Sequence, residues 1–256
     1  MRLLELFSGT KSISKVAKTL DWDAVSLDID STHDPDLCMC IMKFDQTQYD
    51  PDHFDFIWAS CPCEAYSIAR TVAIIPRDDA MEASDKLLVK TRQIIEYFGC
   101  AYCIENPATS GLWKRDVAKS LEAVITSYCC FGYAYRKDTK LASNFPLVLP
   151  RCPGKGKCPS MIGTIHREHA QKGGGGSVPR YKSRDELHSI PEGLVCEICR
   201  HVNEWTGRMA QESGSESDST DNRESKRAKN ILDSSCSWGK MVKNEYAGVP
   251  FPTASL

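Results

Sequence analysis

The first 150 residues alternate between short apolar runs and segments whose apolar residues recur at helical spacing. The short runs have the length of buried strands, and the segments between them have room for crossover connections. Such alternation is typical of βαβ units, in which parallel strands form a sheet and helices cover its faces. We therefore predict an α/β fold for residues 1–150.

The predicted elements are read from apolar runs and helix signals. Strands are expected at RLLELF (2–7), AVSLDI (24–29), FDFIWA (54–59) and AYCI (101–104), with late strands at CFGYAY (130–135) and NFPLVL (144–149). Helices are expected over 13–20 and from Asp78 to Gly99. A last helix is predicted at SIPE, with Ser189 as its cap and Glu192 three residues on, as in a capping box.

The composition changes after Pro150, and this divides the chain into three parts. Residues 151–208 carry ten Lys and Arg against six Asp and Glu, so we predict a small basic extension with a returning helix. A basic surface suits a polyanionic partner, and it also suits a merely solvated face. Residues 209–256 are polar and poor in aromatic residues, which predicts a mostly disordered tail.

The expected cellular location is inferred from the lack of membrane-span and signal patterns and from the distribution of the cysteines. No run reaches the roughly 20 apolar residues of a membrane span, and the first residues do not resemble a secretory signal. Its 13 cysteines are scattered, which favours reduced thiols over a disulfide framework. We expect a soluble intracellular protein, and the cluster KRAK (226–229) is compatible with nuclear import.

Ligands of open parallel sheets bind at the carboxyl ends of the strands, so the turns there are informative. The first strand is followed by FSGTKS, a small-residue turn leading into a helix, where backbone N–H groups are able to meet an anion. The second is followed by Asp28 and Asp30, about 20 residues past the glycine, where an acid holds ribose hydroxyls in nucleotide-binding folds. Together these turns favour an adenosine-containing cofactor.

The third and fourth turns bring reactive groups to the same edge. SCPCEAYS (60–67) places cysteines on both sides of a proline, and ENP (105–107) follows the next predicted strand. A cysteine used as a nucleophile must be activated, because a free thiol with a pKa near 8.5 is mostly protonated at neutral pH. A small buried hydrophobic residue is the alternative interpretation for any one of these cysteines.

These motifs, in this order, resemble the cytosine-C5 DNA methyltransferase family. The resemblance covers about residues 2–148 and rests on ELFSGTKSIS, on Pro62-Cys63 with Tyr66 and Ser67, and on Glu105-Asn106-Pro107. It implies a Rossmann-like, S-adenosylmethionine-dependent methyltransferase fold. Lys11 stands where the family usually has a second glycine.

The resemblance also implies a role for each residue of the two turns. The Cys63 thiolate would add to C6 of cytosine, which makes C5 nucleophilic toward the methyl group. Glu105 would contact N3 and the exocyclic amine, and Asn106 would hold the Pro62-Cys63 turn. Cys61 is expected to be a turn or packing residue.

Further residues are assigned to the cofactor and the substrate by the same resemblance. The cofactor set is Phe7, Ser8, Gly9, Asp28 and Asp45. The substrate set is Tyr66, Ser67, Arg136, Lys137 and Lys140. For the last three, contact with the base carbonyl or a phosphate and a solvated basic edge remain alternative interpretations.

The basic extension contains residues able to bind a metal. Cys152, Cys158, His166 and His169 are candidate zinc ligands, with Cys196 and Cys199 as substitutes or additions. Five residues separate the first two cysteines, which is not a standard zinc spacing.

The predicted function is methyl transfer from S-adenosylmethionine to C5 of cytosine in DNA. Transfer-RNA methylation is the nearest alternative. A catalytically silent module that binds the cofactor or nucleic acid is a second alternative, and a zinc-bound interaction protein is a third. A duplex substrate would have to flip its cytosine into the pocket, at a cost of about a few kcal/mol.

Overall fold

A seven-stranded sheet is the main element of the described residues, which are 1–67, 77–154, 156–168 and 183–214 of a computed structural model. The strands are β1 (Arg2–Leu6), β2 (Asp23–Asp28), β3 (Leu37–Cys38), β4 (Phe56–Ser60), β5 (Ala101–Pro107), β6 (Ala123–Ser127) and β7 (Asp138–Ser143). Their order is β3-β2-β1-β4-β5-β7-β6. The pairings from β3 to β5 are parallel, and β7 is antiparallel to both neighbours. The predicted Rossmann-like α/β fold is confirmed.

Four α-helices and a small hairpin complete the described residues. The helices are α1 (Ser12–Thr19), α2 (Arg77–Phe98), α3 (Arg184–His188) and α4 (Glu192–Gly214), and the hairpin strands are β8 (Met161–Ile162) and β9 (Ile165–His166). Helices α1 and α2 lie where helical spacing predicts them, and Gly99 follows α2 with a positive φ of 56°. Glycine reaches this conformation without the steric cost that a Cβ brings, and so it ends the helix.

Helix α4 packs into the same core as the sheet. Leu194, Val195, Ile198 and Val202 are fully buried in a cluster that includes Trp58 of β4. Residues 1–213 accordingly form one compact unit, so the returning helix of the predicted extension shares the hydrophobic core of residues 1–150. Residues 209–214 of the predicted tail continue α4, and the rest of that tail lies outside the described residues.

Both late strand predictions are wrong. Residues 130–135 include part of a 3-10 helix, Tyr128–Phe131, which ends at Gly132 with a positive φ of 96°. Residues 144–149 form no strand, and Pro146 removes a donor that a ladder would need. The last two strands of the seven-stranded sheet are instead β6 and β7, each of which lies just before one of the predicted runs.

The start of the last helix was also predicted wrongly. Ser189 follows α3 as its C-terminal cap, and α4 begins at Glu192. The capping box occurs one helix earlier, where the Ser183 hydroxyl accepts from Glu186 N and the Glu186 side chain accepts from Ser183 N. Pro191 accounts for the break between α3 and α4, because its ring has no N–H to continue a helix.

Among the described residues, no helix has both the length and the apolar character needed to cross a membrane.

Candidate active site

The cysteine-bearing turn and the end of the neighbouring strand are joined by a hydrogen bond at the carboxyl edge of the sheet. The predicted turn at ENP (105–107) is instead the last part of β5, where it pairs with β7. Pro62 and Cys63 follow β4, and Asn106 lies near the end of β5, its parallel neighbour. The side chain of Asn106 is fully buried, and its Nδ2 donates to the Cys61 carbonyl oxygen at 2.7 Å. This bond ties the turn that bears the cysteines to the strand that bears Glu105.

The two cysteines of the turn differ in access. Cys61 is 6% exposed and lies 3.9 Å from the Thr91 hydroxyl of α2, whereas Cys63 is half-buried. Burial raises the pKa of Cys61 to about 12. Burial is also the main cause that raises the pKa of Cys63 to about 11, and nearby carboxylates add to it while Lys137 opposes it. Of the two thiols, only Cys63 combines access with a neighbouring cation.

Glu105 is a buried carboxyl group held by hydroxyls from two other elements. The Thr139 hydroxyl of β7 donates to its Oε1, and the Tyr128 hydroxyl lies 3.4 Å from the same oxygen. Within the described residues, Oε2 accepts no hydrogen bond. One oxygen is therefore held in position, which leaves the other for a ligand.

Tyr66 supports the turn from the inside. Its hydroxyl donates to Asp85 of α2 at 2.8 Å, and Arg115 binds the same carboxylate through two nitrogens. The ring is 1% exposed. These contacts fix the 3-10 helix Glu64–Tyr66 against α2, so Tyr66 lies where it positions the turn, and its predicted substrate contact remains a prediction. Ser67 is the last described residue of this segment.

The first turn has a strained backbone. Phe7, Gly9 and Lys11 have positive φ angles of 58°, 44° and 56°. A positive φ is unfavourable in free energy for any residue that has a Cβ atom. Non-glycine residues therefore keep this conformation only where the surrounding structure holds them, often at ligand sites. Lys11 thus occupies a glycine-like conformation at the position where the family usually has glycine.

The first turn also fits a polar ligand. The Ser8 hydroxyl is buried and has no hydrogen-bond partner among the described residues. An orphaned buried hydroxyl is uncommon unless a ligand or water completes it. Gly9 N donates to Asp28 Oδ2 at 2.8 Å, which places that carboxylate beside the turn. Because each carboxylate oxygen can accept twice, Asp28 keeps capacity for a ribose hydroxyl. These residues fit S-adenosylmethionine.

Asp45 is less clearly placed for that cofactor. Its carboxylate is exposed and accepts from both the N–H and the hydroxyl of Thr47, which lowers its pKa. These contacts cap the 3-10 helix Gln46–Gln48. Its role at the cofactor remains a prediction.

The three predicted cations have different surroundings. Arg136 is paired through two nitrogens with Asp138, at 2.9 and 2.6 Å. Lys137 donates to Leu187 O at 2.8 Å, and its Nζ lies 4.8 Å from the centre of the Tyr128 ring. Lys140 lies over the ring of Trp113. Among these three, Lys137 is the cation whose charge lowers the pKa of Cys63.

Sequence patterns missed several supporting residues, of which Glu5 is the most unusual. Its buried carboxyl accepts from the N–H groups of Ile13 and Ser14, at the start of α1. Burial raises the pKa of Glu5 to about 7, although these hydrogen bonds oppose the shift. A charged residue inside an apolar strand was the available signal, because such a group needs buried partners.

The metal candidates are partly brought together. Cys152, Cys158 and His166 cluster with Cys129, which the sequence analysis did not identify. His169 lies outside the described residues. The two substitute ligands lie elsewhere, because both belong to α4. Cys199 is buried in the hydrophobic core, and Cys196 packs against that core.

Comparison with known proteins shows what the chain is similar to. No family model matches the chain. The chain is 32% identical over 174 residues to the "Probable DNA (cytosine-5)-methyltransferase" of Frog virus 3 (isolate Goorha), which covers 63% of this chain and 79% of that relative.

Solved structures of methyltransferases are also similar. The match to the Entamoeba histolytica methyltransferase EhMeth has a TM-score of 0.44 and 15% identity. It covers 57% of this chain and 53% of the EhMeth chain. The S. pombe Dnmt2 methyltransferase has a TM-score of 0.39 and 18% identity, covering 58% and 52%. The chain thus spans about half the length of these two structures.

The strand order, with β7 antiparallel between β5 and β6, defines a Rossmann-like α/β fold. The identity and coverage of the viral relative identify it further: the chain belongs to the cytosine-C5 methyltransferase family.

Proposed function

We propose that the chain transfers the methyl group of S-adenosylmethionine to C5 of cytosine in DNA, through a covalent adduct with Cys63. The observation that carries this proposal is the 2.7 Å hydrogen bond from Asn106 Nδ2 to Cys61 O. It ties the thiol turn to the strand that carries Glu105, and this supports contact of one pyrimidine ring with both groups. Such fixed placement of reacting groups is a main source of enzymatic rate.

Each proposed step uses Cys63 of the turn after β4 or Glu105 of β5. The Cys63 thiol loses its proton to solvent, and its sulfur bonds to C6 while the C5–C6 electron pair moves toward C5. Glu105 contacts N3 and the exocyclic amine and favours the resulting enamine. When bound, S-adenosylmethionine supplies the methyl group that C5 takes and leaves as S-adenosylhomocysteine. Loss of the C5 proton to solvent then restores the ring and expels the Cys63 thiolate.

DNA is the proposed polymer because the viral relative is named a probable DNA methyltransferase. The excess of Lys and Arg in residues 151–208 suits a polyanion of either kind. A duplex cytosine has to be flipped out before Cys63 reaches its C6 atom, because stacking encloses that atom.

The test is nucleoside mass spectrometry after incubation with S-adenosylmethionine and either duplex DNA or transfer RNA. Wild type is compared with Cys63→Ala, Cys61→Ala and Glu105→Gln. We expect 5-methylcytosine in DNA, abolished by Cys63→Ala, retained by Cys61→Ala and strongly reduced by Glu105→Gln. Cys61→Ala is the matched control because it alters the same turn without removing the proposed nucleophile.

Other outcomes would replace parts of the proposal. Product in transfer RNA alone would reassign the substrate. Methylation that survives Cys63→Ala would refute the covalent mechanism. Measurable cofactor binding with no product on either polymer would make the chain a silent binding module.

A further inference from the structure

Four side chains able to bind a metal, from separate parts of the chain, lie together, and none of them belongs to the segments that carry Cys63 and Glu105. Cys129 lies in the 3-10 helix after β6, Cys152 follows Pro150, Cys158 lies in the next loop, and His166 is in β9. Their ligand atoms all lie within 4.8 Å of one another. Two of them, Cys152 Sγ and His166 Nε2, are 3.5 Å apart.

These separations match a tetrahedral metal site. Zinc bonds of about 2.3 Å to sulfur and about 2.1 Å to nitrogen place two such ligands about 3.6 Å apart at the tetrahedral angle. The separation of Cys152 Sγ and His166 Nε2 agrees with that edge, and the remaining pairs need movements of about 1 Å or less. Small rotations of the side chains are therefore enough to close the site.

The donor set selects the metal. Three thiols and one imidazole are soft or borderline ligands, which bind zinc and disfavour magnesium and calcium. Four protein ligands leave no open position for a catalytic water, so the site is structural. Cys129 and Cys158 are 4% and 3% exposed, which is the burial expected of a closed structural centre.

The surrounding backbone holds the ligands in place. Gly154 and Gly156 adopt positive φ between Cys152 and Cys158, and a Cβ on Gly156 would come within 3.2 Å of the Gly163 carbonyl. The Ser160 hydroxyl lies 2.9 Å from Tyr133 O and 3.3 Å from Cys129 O, and it can donate to either carbonyl. The loop therefore curls back onto the helix that carries the first ligand.

We propose that one structural zinc ion is bound by Cys129, Cys152, Cys158 and His166. The ion cross-links the loop and hairpin after Pro150 to the 3-10 helix that follows β6. The ion holds the 3-10 helix that carries Tyr128, whose hydroxyl reaches Glu105. The centre thus connects the basic segment with the wall of the active site. This assignment does not depend on methyl transfer, and measurements of metal binding test it directly.

Metal content of the full-length wild-type chain is the first test. Protein purified after expression with added zinc is measured by inductively coupled plasma mass spectrometry, and we expect one zinc per chain. Replacement by cobalt should give the visible bands of tetrahedral cobalt bound to thiolates. Alkylation mapped by mass spectrometry should show Cys129, Cys152 and Cys158 protected until a chelator is added.

Variants assign the ligands. Cys158→Ser should lose most of the bound zinc, whereas Cys130→Ser, which alters the residue beside Cys129, should keep it. Since Cys158→Ser can also unfold the protein, the wild-type cobalt spectrum and chelator-dependent alkylation decide independently of it. Folded wild type that binds neither zinc nor cobalt would overturn the proposal. A disulfide among the three cysteines in freshly purified protein, or zinc retained fully by folded Cys158→Ser, would overturn it as well.

Discussion

The Cys63 thiol should ionise far above the pH at which ordinary cysteines do. Burial and the charges of Glu64 and Glu105 raise its pKa to about 11, with Lys137 opposing. At pH 8.5 roughly 0.3% of such a thiol is ionised, against about half of an unperturbed cysteine with a pKa near 8.5. A more basic thiolate is intrinsically about tenfold more nucleophilic, which offsets part of the roughly 150-fold deficit. The rate at one pH is therefore a poor measure, and the pH dependence is the informative one.

The assay is alkylation by iodoacetamide in short pulses, followed by digestion and mass spectrometry of the Cys63 peptide. Between about pH 7 and pH 10 the rate should rise nearly tenfold per pH unit without a plateau, because the thiolate is the reacting form. The exposed Cys38, read from the same digests, controls for reagent stability. Glu105→Gln should lower the pKa of Cys63, and Lys137→Met should raise it.

A plateau below about pH 9 would refute this reasoning, because it would place the pKa of Cys63 in the ordinary range. An unchanged profile in both variants would show that neither charge acts on the thiol. If the profile holds, kcat/KM for methylation should rise over the same pH range, provided that free enzyme must lose the Cys63 proton before attack.

Substitutions at three further positions test the supports of the site. In the folded protein the pKa of Glu5 is raised to about 7, so the free energy of unfolding of wild type should fall by up to about 3 kcal/mol as the pH rises from about 4.5 to 7. Urea unfolding measures this dependence, and Glu5→Gln should flatten it. Asn106→Ala should cost about 1–3 kcal/mol because it removes the donor to Cys61 O, and it should lower kcat; equal stability and activity would contradict this. Lys11→Gly should stabilise by about 1 kcal/mol by relieving positive φ, whereas Lys11→Ala should not; thermal unfolding compares them.

The order of apolar runs was sufficient to predict the first half of the sheet. Strands β1, β2, β4 and β5 are parallel, so both of their faces are covered and each reads as an apolar run. Their carboxyl ends share one edge of the sheet, and this places the turn bearing Cys63 beside the end of β5, which bears Glu105. A local pattern does not show, however, which atoms meet there. The bond from Asn106 to Cys61 joins residues 45 positions apart, and the orphaned Ser8 hydroxyl becomes visible only in three dimensions.

Cys129 escaped prediction for a related reason. It lies 23 positions before Cys152 and beside another cysteine, so its spacing matches no common metal motif. The 3-10 helix and the β8–β9 hairpin bring it to His166, and the approach depends on contacts between segments. Spacing alone therefore identified three of the clustered residues and missed the fourth.

The failed strand predictions and the missed supports of Glu105 have one origin. Strand β7 inserts between β5 and β6 and is antiparallel to both, a topology that no local pattern specifies. That insertion sets Thr139 opposite Pro107 and carries its hydroxyl to Glu105, while the turn before β7 brings Tyr128 to the same carboxyl. The family motifs supply the proposed reacting groups, Cys63 after β4 and Glu105 of β5, but the groups that hold Glu105 come from the segment whose strands were misplaced. A substitution at Thr139 should therefore change how the Glu105 carboxyl group is held, although Thr139 belongs to none of the recognisable motifs.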